Sequence, residues 1–199
     1  MNLVCLDLEG VLLPEIWINV ALKTNIDELK LTTRDIADYD ELMKYRINIL
    51  YKKNIKMNDI LKVIETISPL EGAIEFIDKL RENFQVIILS DTFYQFAMPL
   101  MKKINMPTLF CHNLIIDSDG FINSYKLRQS DSKRNAVIRF KELNFKVIAS
   151  GDSYNDLNML READKGILFC PPDKIKYENH GFTICYEYDD LFKEILKPV

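Results

Sequence analysis

Leu3-Val4-Cys5-Leu6-Asp7-Leu8-Glu9-Gly10-Val11 sets the reading of the whole chain. An apolar run enters Asp7 without alternation, and Gly10 then lets the backbone turn. A short, continuously apolar run is what a strand buried on both faces requires, as in the middle of a parallel sheet. The pattern recurs. Gln85-Val86-Ile87-Ile88-Leu89 ends at Ser90-Asp91-Thr92, Lys146-Val147-Ile148-Ala149 at Ser150-Gly151-Asp152, and Gly166-Ile167-Leu168-Phe169-Cys170 at Pro171-Pro172. Amphipathic helical stripes fall at 73–81, 132–143, 155–163 and 188–196, and a further helix is expected at 93–104. Strands alternating with helices predict an α/β fold, a doubly wound parallel sheet covered on both faces. Ligands bind such sheets beyond the carboxyl ends of the strands, so Asp7, Ser90 and Asp152 are expected to meet in one crevice.

Two segments break the alternation. Residues 14–68 hold no convincing strand and read as helices at 15–23, 39–54 and 58–67. A direct connection needs only about 2–6 residues, so this stretch reads as an inserted helical cap. The expected division is an α/β core of residues 1–13 and 70–199, with a cap at 14–69. Further on, Leu114-Ile115-Ile116, Asp117-Ser118-Asp119-Gly120 and Phe121-Ile122 read as a β-hairpin with a Gly-containing turn. The two turn acids hint at a calcium loop, but the later ligands of such a loop are missing.

Composition limits the function classes. The 199 residues are 48% hydrophobic and 28% charged, which is globular rather than disordered usage. Net charge is −4 and the pI near 5.3, which argues against non-specific nucleic-acid binding. A small anionic substrate therefore needs a few local cations or a metal. No apolar run approaches the ~20 residues of a membrane span. The first residues carry no basic leader and meet Asp7 at once, unlike a signal peptide. Cys5, Cys111, Cys170 and Cys185 have no CxxC spacing and read as reduced thiols of a cytoplasmic protein. The oligomeric state is open, a homodimer included.

The strand ends carry the chemistry. Asp7 and Glu9 stand two apart. Such a pair suits divided labour, one carboxylate staying ionised as nucleophile or metal ligand while its neighbour is pushed towards its protonated form. It also reads as a strand end capped by solvated acids. Gly151-Asp152-Ser153-Tyr154-Asn155-Asp156 sets two acids across a strand-to-helix turn, where they can reach a hard cation such as Mg²⁺. Acids at a helix start also follow from the macrodipole alone. Ser90 suits an anion seat or a plain N-cap. Lys133 opens a helix, where the dipole slightly disfavours a cation; it reads as serving a ligand or as a plain solvated lysine. His112 and His180 stand near no acid pair or paired cysteine at metal spacing, and Cys111-His112 reads as packing plus a turn rather than zinc. Phe96 reads as core; Trp17, Phe93 and Tyr94 fit either a pocket wall or the core.

Taken in order, these elements resemble the haloacid dehalogenase-like phosphatase superfamily over the whole chain. Asp7-Leu8-Glu9-Gly10-Val11 looks like its first motif, Ser90 its second, Lys133 its third and Gly151-Asp152-Ser153-Tyr154-Asn155-Asp156 its fourth. The fourth looks most like the phosphoserine phosphatase branch. Leu12-Leu13-Pro14-Glu15-Ile16-Trp17, Thr32-Thr33-Arg34-Asp35-Ile36 and Leu89-Ser90-Asp91-Thr92-Phe93-Tyr94 are similar to the bacterial subgroup of phosphoserine–homoserine phosphotransferases. The superfamily usually has Asp where this chain has Glu9; that subgroup carries Glu.

The resemblance implies a Rossmann-like core and a set of roles. Asp7 would form an aspartyl-phosphate, and Glu9 would act as acid and base. Mg²⁺ would be held by Asp7, the Glu9 carbonyl and Asp152, with Asp156 orienting that shell. Ser90, the Asp91 backbone N–H and Lys133 would take the phosphoryl oxygens, and Asn155 would bond the substrate or phosphate. Glu15 would pair with an α-ammonium and Arg46 clamp an α-carboxylate, with Arg34 as the competing clamp. The implied partners are O-phospho-L-serine and, as a second acceptor, L-homoserine. Two alternatives stay open: a phosphatase of the same superfamily acting on another small ester, and a receiver-type phospho-Asp module. Glu9 and the helical insert argue against the receiver.

Overall fold

The computed structural model describes the chain apart from residues 33, 34, 37, 179 and 180. Seven strands form one sheet in the order β4-β3-β2-β1-β5-β6-β7. They are β1 (Asn2–Leu6), β2 (Gln85–Phe93), β3 (Thr108–Ile116), β4 (Ile122–Lys126), β5 (Lys146–Gly151), β6 (Lys165–Phe169) and β7 (Thr183–Cys185). From β1 the chain winds outward through β2 and β3, then returns to the other flank of β1 with β5. That reversal makes the sheet doubly wound. All pairings are parallel except β3 with β4. The expected wholly parallel sheet thus carries one antiparallel edge strand, because the hairpin expected near residue 117 joins the sheet itself.

Nine α-helices are described: α1 (Ile16–Thr24), α2 (Tyr39–Lys52), α3 (Met57–Ile64), α4 (Ala73–Asn83), α5 (Tyr94–Met101), α6 (Ser132–Glu142), α7 (Leu157–Glu162), α8 (Asp173–Tyr177) and α9 (Tyr188–Leu196). Alternation along each strand sends successive side chains to opposite faces. Leu3, Cys5, Val147 and Ala149 therefore pack with Ala136, Val137 and Leu160 of α6 and α7. Val4, Leu6, Ile88 and Ile148 belong to the other layer, with α4, α5, α9 and the helices that follow β1.

Three local arrangements shape the space beyond the strand ends. The chain leaves β1 through a tight turn in which the Leu12 and Leu13 N–H groups both donate to the Leu8 carbonyl, at 2.9 Å each. It passes through α1, α2 and α3 and returns beside its point of departure, where the Leu70 N–H donates to the Leu12 carbonyl at 3.0 Å. The β3–β4 hairpin grips this excursion. The Met57 N–H donates to the Gly120 carbonyl at 2.9 Å, and the Tyr125 hydroxyl to Asp40 Oδ1 at 2.6 Å. In the hairpin turn, Asp117 Oδ1 accepts the Asp119 and Phe121 N–H groups, so this acid is spent on the turn. On the other side of the β1 turn, the Tyr188 hydroxyl donates to the Val11 carbonyl at 2.6 Å, its ring stacked between Phe76 and Phe169.

Candidate active site

The carboxyl ends of β1, β2 and β5 meet at the topological switch point, as the strand order requires. Asp7 leaves β1 with its N–H donating to the Ser150 carbonyl of β5 at 2.9 Å, and its Oδ1 accepts the Leu8 N–H at 2.7 Å. Lys133, from the first turn of α6, lies 2.9 Å from Asp7 Oδ1 and 2.7 Å from Asp156 Oδ1. Both acids and the lysine are buried. Asp156 is fully committed. Its Oδ2 accepts the N–H groups of Asp152 and Ser153 and the Ser153 hydroxyl, all at 3.0–3.1 Å. The turn after β5 is thus folded around this carboxylate. Gly151 makes the room, since a Cβ there would fall 2.3 Å from Asp156 Cγ.

Carboxylate oxygens of Asp7, Asp152 and Asp156 lie within 4.8 Å of one another, with Lys133 as their near cation. Burial and then Asp156 push the Asp7 carboxyl up; Lys133 pulls it back and Asp152 adds to the rise. Burial, then Asp156, lift Asp152 to about 7. Burial alone would lower Lys133, but Asp156, Asp7 and Asp91 hold it well above the usual lysine range. The cluster is short of positive charge and offers hard oxygen donors, which fits a divalent cation such as Mg²⁺.

Glu9 is one turn further on. Its Oε2 accepts the Ile16 N–H at the start of α1, at 2.8 Å. Burial, then the charge of Glu15, push it up to about 7, against the opposing pull of the Ile16 N–H, Thr92 and Arg46. A carboxyl in that range can give and take a proton near neutral pH.

Arg46 comes from α2, on the buried stripe of Leu42, Met43, Ile49 and Leu50. Its Nη2 donates to the Leu31 carbonyl at 2.7 Å, and its guanidinium lies 4.6 Å from the centre of the Trp17 ring. Nε is buried with no partner among the described residues. Burial lowers its pKa to about 10, with Glu9, Tyr39 and Glu15 acting in the opposite direction, so it stays charged at neutral pH.

One cavity of about 360 Å³ gathers these groups. Asp7, Glu9, Glu15, Arg46, Ser90, Asp91, Lys133, Asp152 and Asn155 all line it, and Asp156 lies buried beneath. Arg34 and His180 lie outside the described residues. Trp17 forms part of the wall, Phe93 and Phe96 are core, and the Tyr94 hydroxyl is spent on the Leu109 carbonyl.

Sequence reasoning missed two residues. Tyr39, the first residue of α2, lines the cavity and donates its hydroxyl to the Asp91 carbonyl at 3.0 Å. His112 lies within β3, not in a turn, and faces Asp91. A tyrosine opening a helix behind the capping Asp38 was the available signal for the first. The second had none, since its partner stands on another strand.

A profile of the haloacid dehalogenase-like hydrolase family matches residues 1–164. The chain is 57% identical over 197 residues to the phosphoserine phosphatase ThrH of Pseudomonas aeruginosa, covering 99% of this chain and 96% of that one. It is 55% identical to a phosphoserine phosphatase of Pseudomonas syringae pv. tomato, over 99% of this chain and 83% of the other. Among solved structures, a phosphoserine phosphatase in apo form superposes with a TM-score of 0.78 at 23% identity, covering 100% of this chain and 98% of that one. That likeness bears on the fold.

Proposed function

The chain belongs to the haloacid dehalogenase-like hydrolase family, and on that premise we propose that it is a phosphoserine phosphatase working through an aspartyl-phosphate on Asp7. An Asp7 oxygen bonds to phosphorus while the serine oxygen leaves with a proton from Glu9. A water then gives its proton back to Glu9 and attacks phosphorus, freeing the Asp7 carboxylate. Homoserine in place of that water would receive the phosphoryl group, so transfer and hydrolysis share the same residues.

Placement around the cavity supports the other roles. The Ser90 hydroxyl, the Asp91 N–H and the Lys133 ammonium take the phosphoryl oxygens, where transition-state charge is spread. Asn155 bonds the phosphate or substrate from the cavity rim. Glu15 takes the α-ammonium and Arg46 the α-carboxylate. Residues 14–69 act as the cap that carries both. Asp7, Asp152 and the Glu9 carbonyl would hold Mg²⁺, with Asp156 fixing the Asp152 turn. When bound, the ion supplies positive charge against the phosphoryl oxygens. A small zwitterionic ester is thus the partner, not nucleic acid. No helix among the described residues is long and apolar enough to cross a membrane, and with four free cysteines this supports work in the cytoplasm.

The observation that carries the reading is that Asp7, Ser90 and Lys133 share a cavity with Glu15 and Arg46, an anion seat beside a pair matched to a zwitterion. The test is a panel of phosphate esters with Mg²⁺, with and without homoserine. Phosphoserine should be preferred, and homoserine should yield phosphohomoserine. A preference for an ester without the amino-acid groups would overturn the substrate. Inorganic phosphate alone in the presence of homoserine would remove the transfer.

A further inference from the structure

Asp91 is a carboxylate in a cavity read as taking a phosphate, which by charge alone is the wrong residue to find there. Its surroundings account for it. Lys133 has three N–H donors and no acceptor. Asp7 and Asp156 take two of them, at 2.9 and 2.7 Å. Asp91 Oδ2 lies 3.7 Å away, near enough for charge attraction and too far for a hydrogen bond. Among the described residues the third N–H has no hydrogen-bond partner.

What keeps Asp91 at that distance is visible on its other oxygen. Oδ1 accepts the Ser132 hydroxyl at 3.1 Å and faces His112 Nε2 at 3.5 Å. The imidazole is buried, and its Nδ1 accepts the Arg128 N–H at 3.1 Å, so a neutral ring carries its proton on Nε2, towards Asp91. Its ring is also flanked by Tyr39 and Phe93. Donors from β3 and the start of α6 thus hold the carboxylate by one oxygen, and neither belongs to the cluster of Asp7, Asp152 and Asp156.

We infer that His112 and Ser132 are positioning residues that hold the Asp91 carboxylate back from Lys133, leaving the third lysine N–H free for a phosphoryl oxygen. Without them the carboxylate closes on the ammonium and competes with the incoming anion. The inference rests on the phosphoryl-binding reading of this cavity.

The test is calorimetric binding of inorganic phosphate, with Mg²⁺ present, to the full chain. His112→Phe keeps the ring and loses both nitrogens; it should bind phosphate about tenfold more weakly. Ser132→Ala, at a half-buried helix start that tolerates alanine, should shift in the same direction by about threefold. In turnover of phosphoserine, KM should rise more than kcat falls. The deciding variant adds Asp91→Asn to His112→Phe. With the competing charge gone, phosphate affinity should return to that of Asp91→Asn alone. Unchanged affinity in both His112→Phe and Ser132→Ala overturns the inference, and so does a defect that persists in the double variant, the mark of a purely structural role. Should His112→Phe fail to fold, Ser132→Ala with and without Asp91→Asn decides by the same comparison. A protein that binds phosphate yet leaves phosphoserine uncleaved would overturn the substrate reading, while this comparison would still decide the role of His112.

Discussion

Gly10 lies directly against Asp152: a Cβ built on the glycine falls 2.4 Å from the Asp152 Cγ. Its φ of +79° is also one that side chains resist. The first turn of the chain and the acid after β5 can approach this closely because nothing projects between them. Gly10→Ala should displace the Asp152 carboxylate while leaving the strands intact. Mg²⁺ affinity, read by calorimetry, should fall about 10–100-fold. Wild-type affinity in this variant would separate Asp152 from the metal.

Stability without metal should decline as pH rises. Glu9 and Asp152 both stand near 7 in the folded protein, each raised chiefly by burial. Their unfolded values are about 4. A carboxyl that holds its proton more tightly when folded favours the fold at low pH, and that advantage fades between about pH 4 and 7. Urea unfolding in chelator should show a loss of several kcal/mol across this window, since each raised pKa unit is worth about 1.4 kcal/mol. Asp152→Asn should flatten the slope, and Mg²⁺ should restore stability mainly at the upper end. A rise in stability over the same window would refute the assignment.

Arg46→Met retains the apolar bulk beside Trp17 and removes the charge. The KM for phosphoserine should rise about 100-fold, the scale of a lost charged hydrogen-bonded pair. Phosphoethanolamine, which lacks the carboxylate, should be affected less than about threefold. Equal losses on both esters would remove Arg46 from carboxylate binding.

Tyr188→Phe tests the support under the β1 turn. The ring would still stack between Phe76 and Phe169, and only the bond to the Val11 carbonyl would go. The expected cost is about 1 kcal/mol of unfolding free energy with kcat unchanged. A large drop in kcat would instead mean that this bond sets the geometry of Asp7 and Glu9.

The buried parallel strands were legible because β1, β2, β5 and β6 are nearly unbroken apolar runs, each ending in a break. The helices of the insert were legible from their stripes, within a few residues at each end. The first half of β3 was not. His112 interrupts its apolar run, and what lets a polar ring sit there is Asp91, on the neighbouring strand. The short α8 and β7 were missed for a different reason: too few residues carry any periodicity. Asp7, Ser90 and Asp152 could be expected together because strand ends converge by topology. Burial of Lys133 among carboxylates could not, since a helix-opening lysine has the same local sequence whether it points inward or out.

The Leu70-to-Leu12 bond closes the excursion of α1, α2 and α3 at its own base. Leaving and re-entering at one point lets the length of that excursion vary without shifting a strand of the sheet. One loop-like module can therefore be rewritten over evolution while Asp7 and Lys133 stay put. The constraint is that any replacement must present its own greasy underside to the sheet, as Trp17 does to Phe96, because the insert and that face of the sheet share one interior.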